Sequence, residues 1–161
     1  MALKMSLRAE ILDTGNPQIR GASIIINASA KSIFEVLADP TKHSVIDGSN
    51  SVKSVLNAPK RLSLGAKFGM NMKIGIKYRI TNTVVEFEEG GRIAWQHLGK
   101  WIWRYELKPI TATQTLVIER FDATSSPLKL WLKIRSAYPS AEIAIAKTLV
   151  RLKKYLEGEK L

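Results

Sequence analysis

The sequence has no cysteine and two histidines among its 161 residues, which excludes a disulfide framework, a thiolate metal site and a cysteine nucleophile. His43 and His97 stand far apart with no HExxH-type spacing, so no metal is expected. Neither a GxGxxG nor a P-loop occurs, and no cofactor is expected. Acids are scarce: 14 Asp and Glu stand against 25 Lys and Arg, giving a net charge of +11 and a pI near 10.0. Such a surplus attracts nucleic acid, acidic membrane surfaces and anionic ligands alike, without choosing among them. Long apolar runs are missing too. No window approaches the roughly 18 residues of a membrane span. Lys4, Arg8 and Glu10 interrupt the first dozen residues where a signal peptide would be uniform. With no cysteine to oxidise, the expected compartment is the cytoplasm. The length suits a single domain over residues 1–161, with residues 1–18 as an N-terminal arm, packed or flexible.

What is present is a recognisable order of elements. Residues 19–27 are β-branched and predict a first strand; Asn27 or Ser29 can then cap a short helix carrying Ile33, Phe34 and Leu37. Asp39-Pro40 starts a second helical turn, and Val52 to Leu56 reads as a strand. From Ala66 to Asp122 the alternation is that of an antiparallel meander, with turns at Gly75, Gly90-Gly91, Gly99-Lys100 and around Ile110 to Thr113. The phase changes near Val84-Val85, where a β-bulge would bend the sheet. The turn so centred would set Arg104 opposite Glu119 as an exposed cross-strand ion pair. Pro127 opens a helix or lid over Leu128 to Tyr138. Pro139 ends it, Ser140 caps a final helix, and Ala141, Ile145, Thr148, Leu149, Leu152 and Leu156 form one apolar stripe facing the sheet. The basic cluster Arg151, Lys153 and Lys154 is expected to be a solvated face.

A strand, two short helices, an antiparallel meander and a closing helix resemble the helix-grip order of the START-like (SRPBCC) superfamily. The segments Ala38 to Ser49, Gly65 to Met70, Asn82 to Phe87, Ile93 to His97 and Trp103 to Leu107 resemble the polyketide cyclase/dehydrase and lipid-transport family. That likeness implies an α+β fold in which a curved antiparallel sheet of six to seven strands wraps the C-terminal helix, and a deep pocket for a hydrophobic ligand.

Two constellations could carry chemistry. His43 and Asp47, four apart, could share a helix face as a base oriented by a carboxylate; alternatively Asp47 caps the Gly48 loop and His43 plugs the barrel. His97 shares a face with Ile93 and Trp95, so it either enters the cavity beside Trp103 and Tyr105 or, with the register slipped by one, lies outside. Met70, Met72, Tyr78, Trp95, His97, Trp103, Tyr105, Ile145, Leu149 and Leu152 are the expected ligand-lining set, or simply core. Lys100 to Arg104 superficially interleaves cations with aromatics as a nucleic-acid surface does, but a meander strand buries such tryptophans, and nucleic acid is not expected as a partner. Leu128 to Arg135, with Trp131 among Lys129, Lys133 and Arg135, has the makings of an interfacial helix touching anionic lipid. The leading expectation is thus a monomeric or homodimeric module that binds or transports a small hydrophobic ligand such as a lipid or polyketide-like aromatic. The alternative is a cyclase- or dehydratase-type enzyme using His43 or His97 as general base.

Overall fold

The computed structural model describes residues 8–161, so the start of the expected arm lies outside the described residues. The β-branched run forms β2 (Ile19–Ile26), and ahead of it Glu10–Ile11 makes a two-residue strand, β1, paired with Ser23 and Ala22. Ser29 caps α1 (Ala30–Ala38) by accepting the Ser32 N–H at 3.1 Å. A 3-10 turn over Pro40–Lys42, capped by Asp39, leads into α2 (His43–Ile46). There follow β3 (Val52–Leu56), β4 (Lys67–Ile74), β5 (Ile76–Glu88), β6 (Arg92–His97), β7 (Ile102–Thr111) and β8 (Gln114–Asp122). The chain closes with α3 (Lys129–Ile134) and α4 (Ala137–Leu156).

All the strands join one curved antiparallel sheet in the order β1-β2-β8-β7-β6-β5-β4-β3. Eight strands replace the expected six to seven because β1 is too short to show a period of its own. The bulge expected near Val84 is present: pairing with β6 slips between Val84 and Glu86. On the concave face Ala22, Ile24, Phe68, Met70, Val84, Ile93, Trp95, Tyr105 and Val117 belong to one core cluster with Ala141, Ile145, Leu149 and Leu152 of α4. Among the described residues, no helix is long and apolar enough to cross a membrane.

Two local readings are corrected. The last helix begins at Ala137, not after Pro139, because proline in the first turn gives up an N–H that has no helical partner anyway. The Arg151–Lys154 cluster is not simply a solvated face. Arg151 donates through Nε and Nη2 to the Val45 carbonyl at 3.1 and 2.8 Å, and Lys153, 2% exposed, donates to the Ile25 carbonyl and to Glu157. These bonds clamp α2 and β2 to α4.

The clamp is tight at Gly48, whose N–H donates to Thr148 Oγ1 at 2.9 Å; a Cβ there would stand 2.4 Å from Lys147 and from the Thr148 nitrogen. Gly48→Ala is expected to cost about 1–3 kcal/mol by urea denaturation, because helix backbone must move to admit the methyl group.

Candidate functional site

The sheet register decides which polar groups reach the interior. Thr111 pairs with Gln114 around a two-residue turn, and an irregularity at Ile110 then sets Arg104 opposite Arg120 and Tyr105 opposite Glu119. The expected Arg104–Glu119 pair is therefore wrong by one residue, and that slip carries Glu119 from the solvent face into the core. Arg104 stays outside, bonding Glu86 at 2.7 Å and Asp122 at 3.3 Å, while Arg120 pairs with Glu106.

Glu119 is 3% exposed among apolar neighbours. The Tyr105 hydroxyl donates to its carboxyl, and Oε2 has no partner. Burial pushes its pKa up to about 8, with the Asp47 charge adding to the rise and the Tyr105 bond opposing it. Burial and the same acids hold the Tyr105 hydroxyl well above its usual range. Elsewhere on this face, on β5, Asn82 is buried, with Nδ2 3.9 Å from Met70 Sδ.

The His43–Asp47 dyad does not form. His43 Nε2 lies 2.9 Å from the Leu37 carbonyl, which can only accept, so the proton sits on Nε2 and leaves Nδ1 a lone pair without a partner. The ring stacks on Trp95 at 4.7 Å and meets the edge of Phe68, and burial lowers its pKa. Asp47 instead accepts the N–H groups of Ser49, Ser51 and Val52, as a loop-capping aspartate does.

His97 lies opposite Asn82 on the concave side but is only half-buried, at the end of β6. Its Nδ1 accepts the Gly99 N–H at 2.9 Å, and its ring begins a stack through Trp101 at 4.2 Å, Trp131 at 6.4 Å and the Arg135 guanidinium. Of the expected lining residues, Met70, Trp95, Tyr105, Ile145, Leu149 and Leu152 meet in one cluster, with Met72 and Trp103 packed at its margin. Tyr78 is 40% exposed beyond that margin, where β4 and β5 run out from under α4. The signal for the missed Glu119 was its phase: Val117 and Phe121, two residues to either side, are buried. Among the described residues no group of three acids or histidines could hold a metal.

Between about pH 4.5 and 8 the unfolded chain has released the Glu119 proton while the folded chain keeps it, so this group's contribution to stability falls as pH rises through that window. Neutral, buried His43 has the opposite slope below about pH 6.5. Comparing Glu119→Gln with the native chain isolates the first effect. The variant's relative stability should climb from pH 4.5 to a plateau above pH 8, by at most about 5 kcal/mol, in urea titrations across pH.

No family model matches the chain. It is 34% identical over 113 residues to the uncharacterized protein Rv0088 of Mycobacterium tuberculosis, a match covering 70% of this chain. The match spans about half the length of that relative. A START superfamily protein of Mycobacterium smegmatis superposes with a TM-score of 0.67 at 15% identity, covering 87% of this chain and 97% of the other. A polyketide-cyclase-like protein of Corynebacterium glutamicum does so with 0.61 at 18% identity, covering 87% and 91%. With an eight-stranded antiparallel sheet curved around a twenty-residue C-terminal helix, the chain has the START-like helix-grip fold.

Proposed function

We propose that this protein binds and carries a small hydrophobic molecule between α4 and the concave face of the sheet. The observation that carries the reading is an apolar face, interrupted on β5 by Asn82, that leads from the core to solvent. Along β4 it passes from Phe68 and Met70, both buried, through Met72 to Ile74 at 69% exposure; along β5 it passes from Val84 through Ile80 and Tyr78 to Ile76 at 79%. A closed core has no use for such a run-out, whereas a site that admits an apolar ligand needs one. The competing enzyme has less support: neither histidine is held by a carboxylate, and His97 Nδ1 is engaged by the Gly99 N–H.

The rim of that face fits an anionic bilayer surface as the place of loading. Residues 67–85, 90–105 and 123–141 contain no Asp or Glu. From these stretches the β4–β5 and β6–β7 turns and α3 meet at one end of the sheet, exposing Ile74, Ile76, Leu98, Leu130, Trp131 and Ile134. Lys73, Lys77, Lys100, Lys133 and Arg135 lie among them, exposed. Apolar side chains set among cations without acids are what an interfacial element needs. Next to α3 an open groove of about 430 Å³, lined by Arg20, Lys129, Lys133 and Tyr138, suits a lipid headgroup.

Native mass spectrometry of freshly purified protein should find one apolar small molecule per chain, identified after denaturing extraction. An empty protein that also takes up no hydrophobic dye overturns the carrier reading. Sedimentation with phosphatidylserine-containing vesicles should be strong at low salt, weaken at high salt, and drop about tenfold or more in Trp131→Ala/Ile134→Ala, whereas neutral vesicles bind poorly.

A further inference from the structure

One carboxyl on the concave face is matched by no cation among the described residues. Glu119 projects from β8 between Tyr105 of β7 and Ala22 of β2, its partners across the two ladders. Arg20 and Lys153, the cations that reach inward from β2 and α4, are committed elsewhere. Arg20 bonds Glu142 at 3.2 Å, and Lys153 bonds Glu157 and the Ile25 carbonyl. Asp47, whose charge does act on Glu119, is itself negative. A carboxyl so placed keeps its proton. Its carbonyl oxygen then receives the Tyr105 hydroxyl, and Oε2–H is left as a buried donor with nothing to receive it. Native interiors rarely leave a donor bare, and an acceptor delivered by a ligand would satisfy it.

We propose that Glu119 and Tyr105 form the polar anchor of the ligand site, with Glu119 donating from Oε2 to the carbonyl oxygen of an otherwise apolar ester, ketone or amide. The assignment rests on the hydrophobic-ligand reading and narrows it. A fatty-acid anion is the wrong class, since it would bring a second buried negative charge into the field of Asp47 with no free cation among the described residues to balance it. The protein's positive exterior and its acidic interior thus select differently: the first favours an anionic surface to dock on, the second a neutral cargo. Discrimination of this kind is sharp because a ligand without the acceptor leaves the buried donor unpaired.

The test compares methyl laurate, dodecane and laurate by titration of tryptophan fluorescence, Trp95 lying with its ring 5.6 Å from that of Tyr105. The native protein should bind methyl laurate about tenfold more tightly than dodecane, the increment of one buried hydrogen bond, and laurate more weakly than its ester. Glu119→Leu should abolish the ester's advantage with dodecane binding retained, while Glu119→Gln, which keeps a donor, should preserve most of it. Tyr105→Phe gives an independent arm: without the hydroxyl that orients the carboxyl, the ester preference should fall and dodecane binding hold. An undiminished preference in Glu119→Leu, or laurate bound as tightly as its ester, overturns the anchor while leaving the carrier standing. If the native protein binds none of the three probes, the carrier reading fails and the anchor with it.

Discussion

A sheet of eight strands offers a concave face that one helix cannot cover. At about 4.8 Å per strand the sheet would span roughly 35 Å if flat, whereas α4, including side chains, is about 10 Å across. Curvature brings the strands toward the helix, and α1 and α2 fill one side, with Phe34, Leu37 and His43 reaching the core. The remaining deficit falls on β4 and β5, the strands farthest from the α4–β2 contact. The bulge at Val84 adds to it by bending β5, so that its first half projects past the ends of β6 and β7. The open margin is therefore a geometric consequence of closing a wide sheet with a single helix.

Charge is sorted by face with equal consistency. On the convex side, Glu86, Arg104 and Asp122 form one ion-pair chain, and Arg120 pairs with Glu106, across strands β5 to β8. Partly exposed pairs of this kind add little stability singly. Their consequence is for register: a one-residue slip of any of these strands would carry its charged side chains to the inner face and break the pairs. Inside, polar atoms are few and mostly spoken for, as with His43 Nε2 on Leu37 and Lys153 on Ile25. Against that background the unpartnered Oε2 of Glu119 is conspicuous, because the low-dielectric interior that makes satisfied bonds strong makes an unsatisfied group costly.

Much of this was legible in the sequence. The stripe Ala141, Ile145, Leu149 and Leu152 carried the period of a buried helix face, and the clash of phases at Val84-Val85 located the bulge. Both signals are local and long enough to rise above propensity. Glu119 was harder to place because its face depends on one extra residue at Ile110, and a glutamate within reach of an arginine invites pairing. The neighbours Val117 and Phe121 were the better guide. β1 has only two residues and therefore no alternation to read. Lys153 was misassigned because helix cations usually face solvent; its burial depends on a carbonyl of β2 that no periodicity reveals.

The sheet ends on β1 at one side and β3 at the other, a two-residue strand and a five-residue strand whose pairing is broken between Val52 and Ser54. Neither presents a long row of free amides and carbonyls to a neighbouring molecule. A protein that displays isoleucines at a hairpin tip is prone to stick to its own kind, and strand-to-strand joining would turn such sticking into fibres. With both borders curtailed, any self-association through the apolar tip lacks a backbone template on which to propagate. The surface can thus remain adhesive toward other partners without becoming a seed for polymerisation.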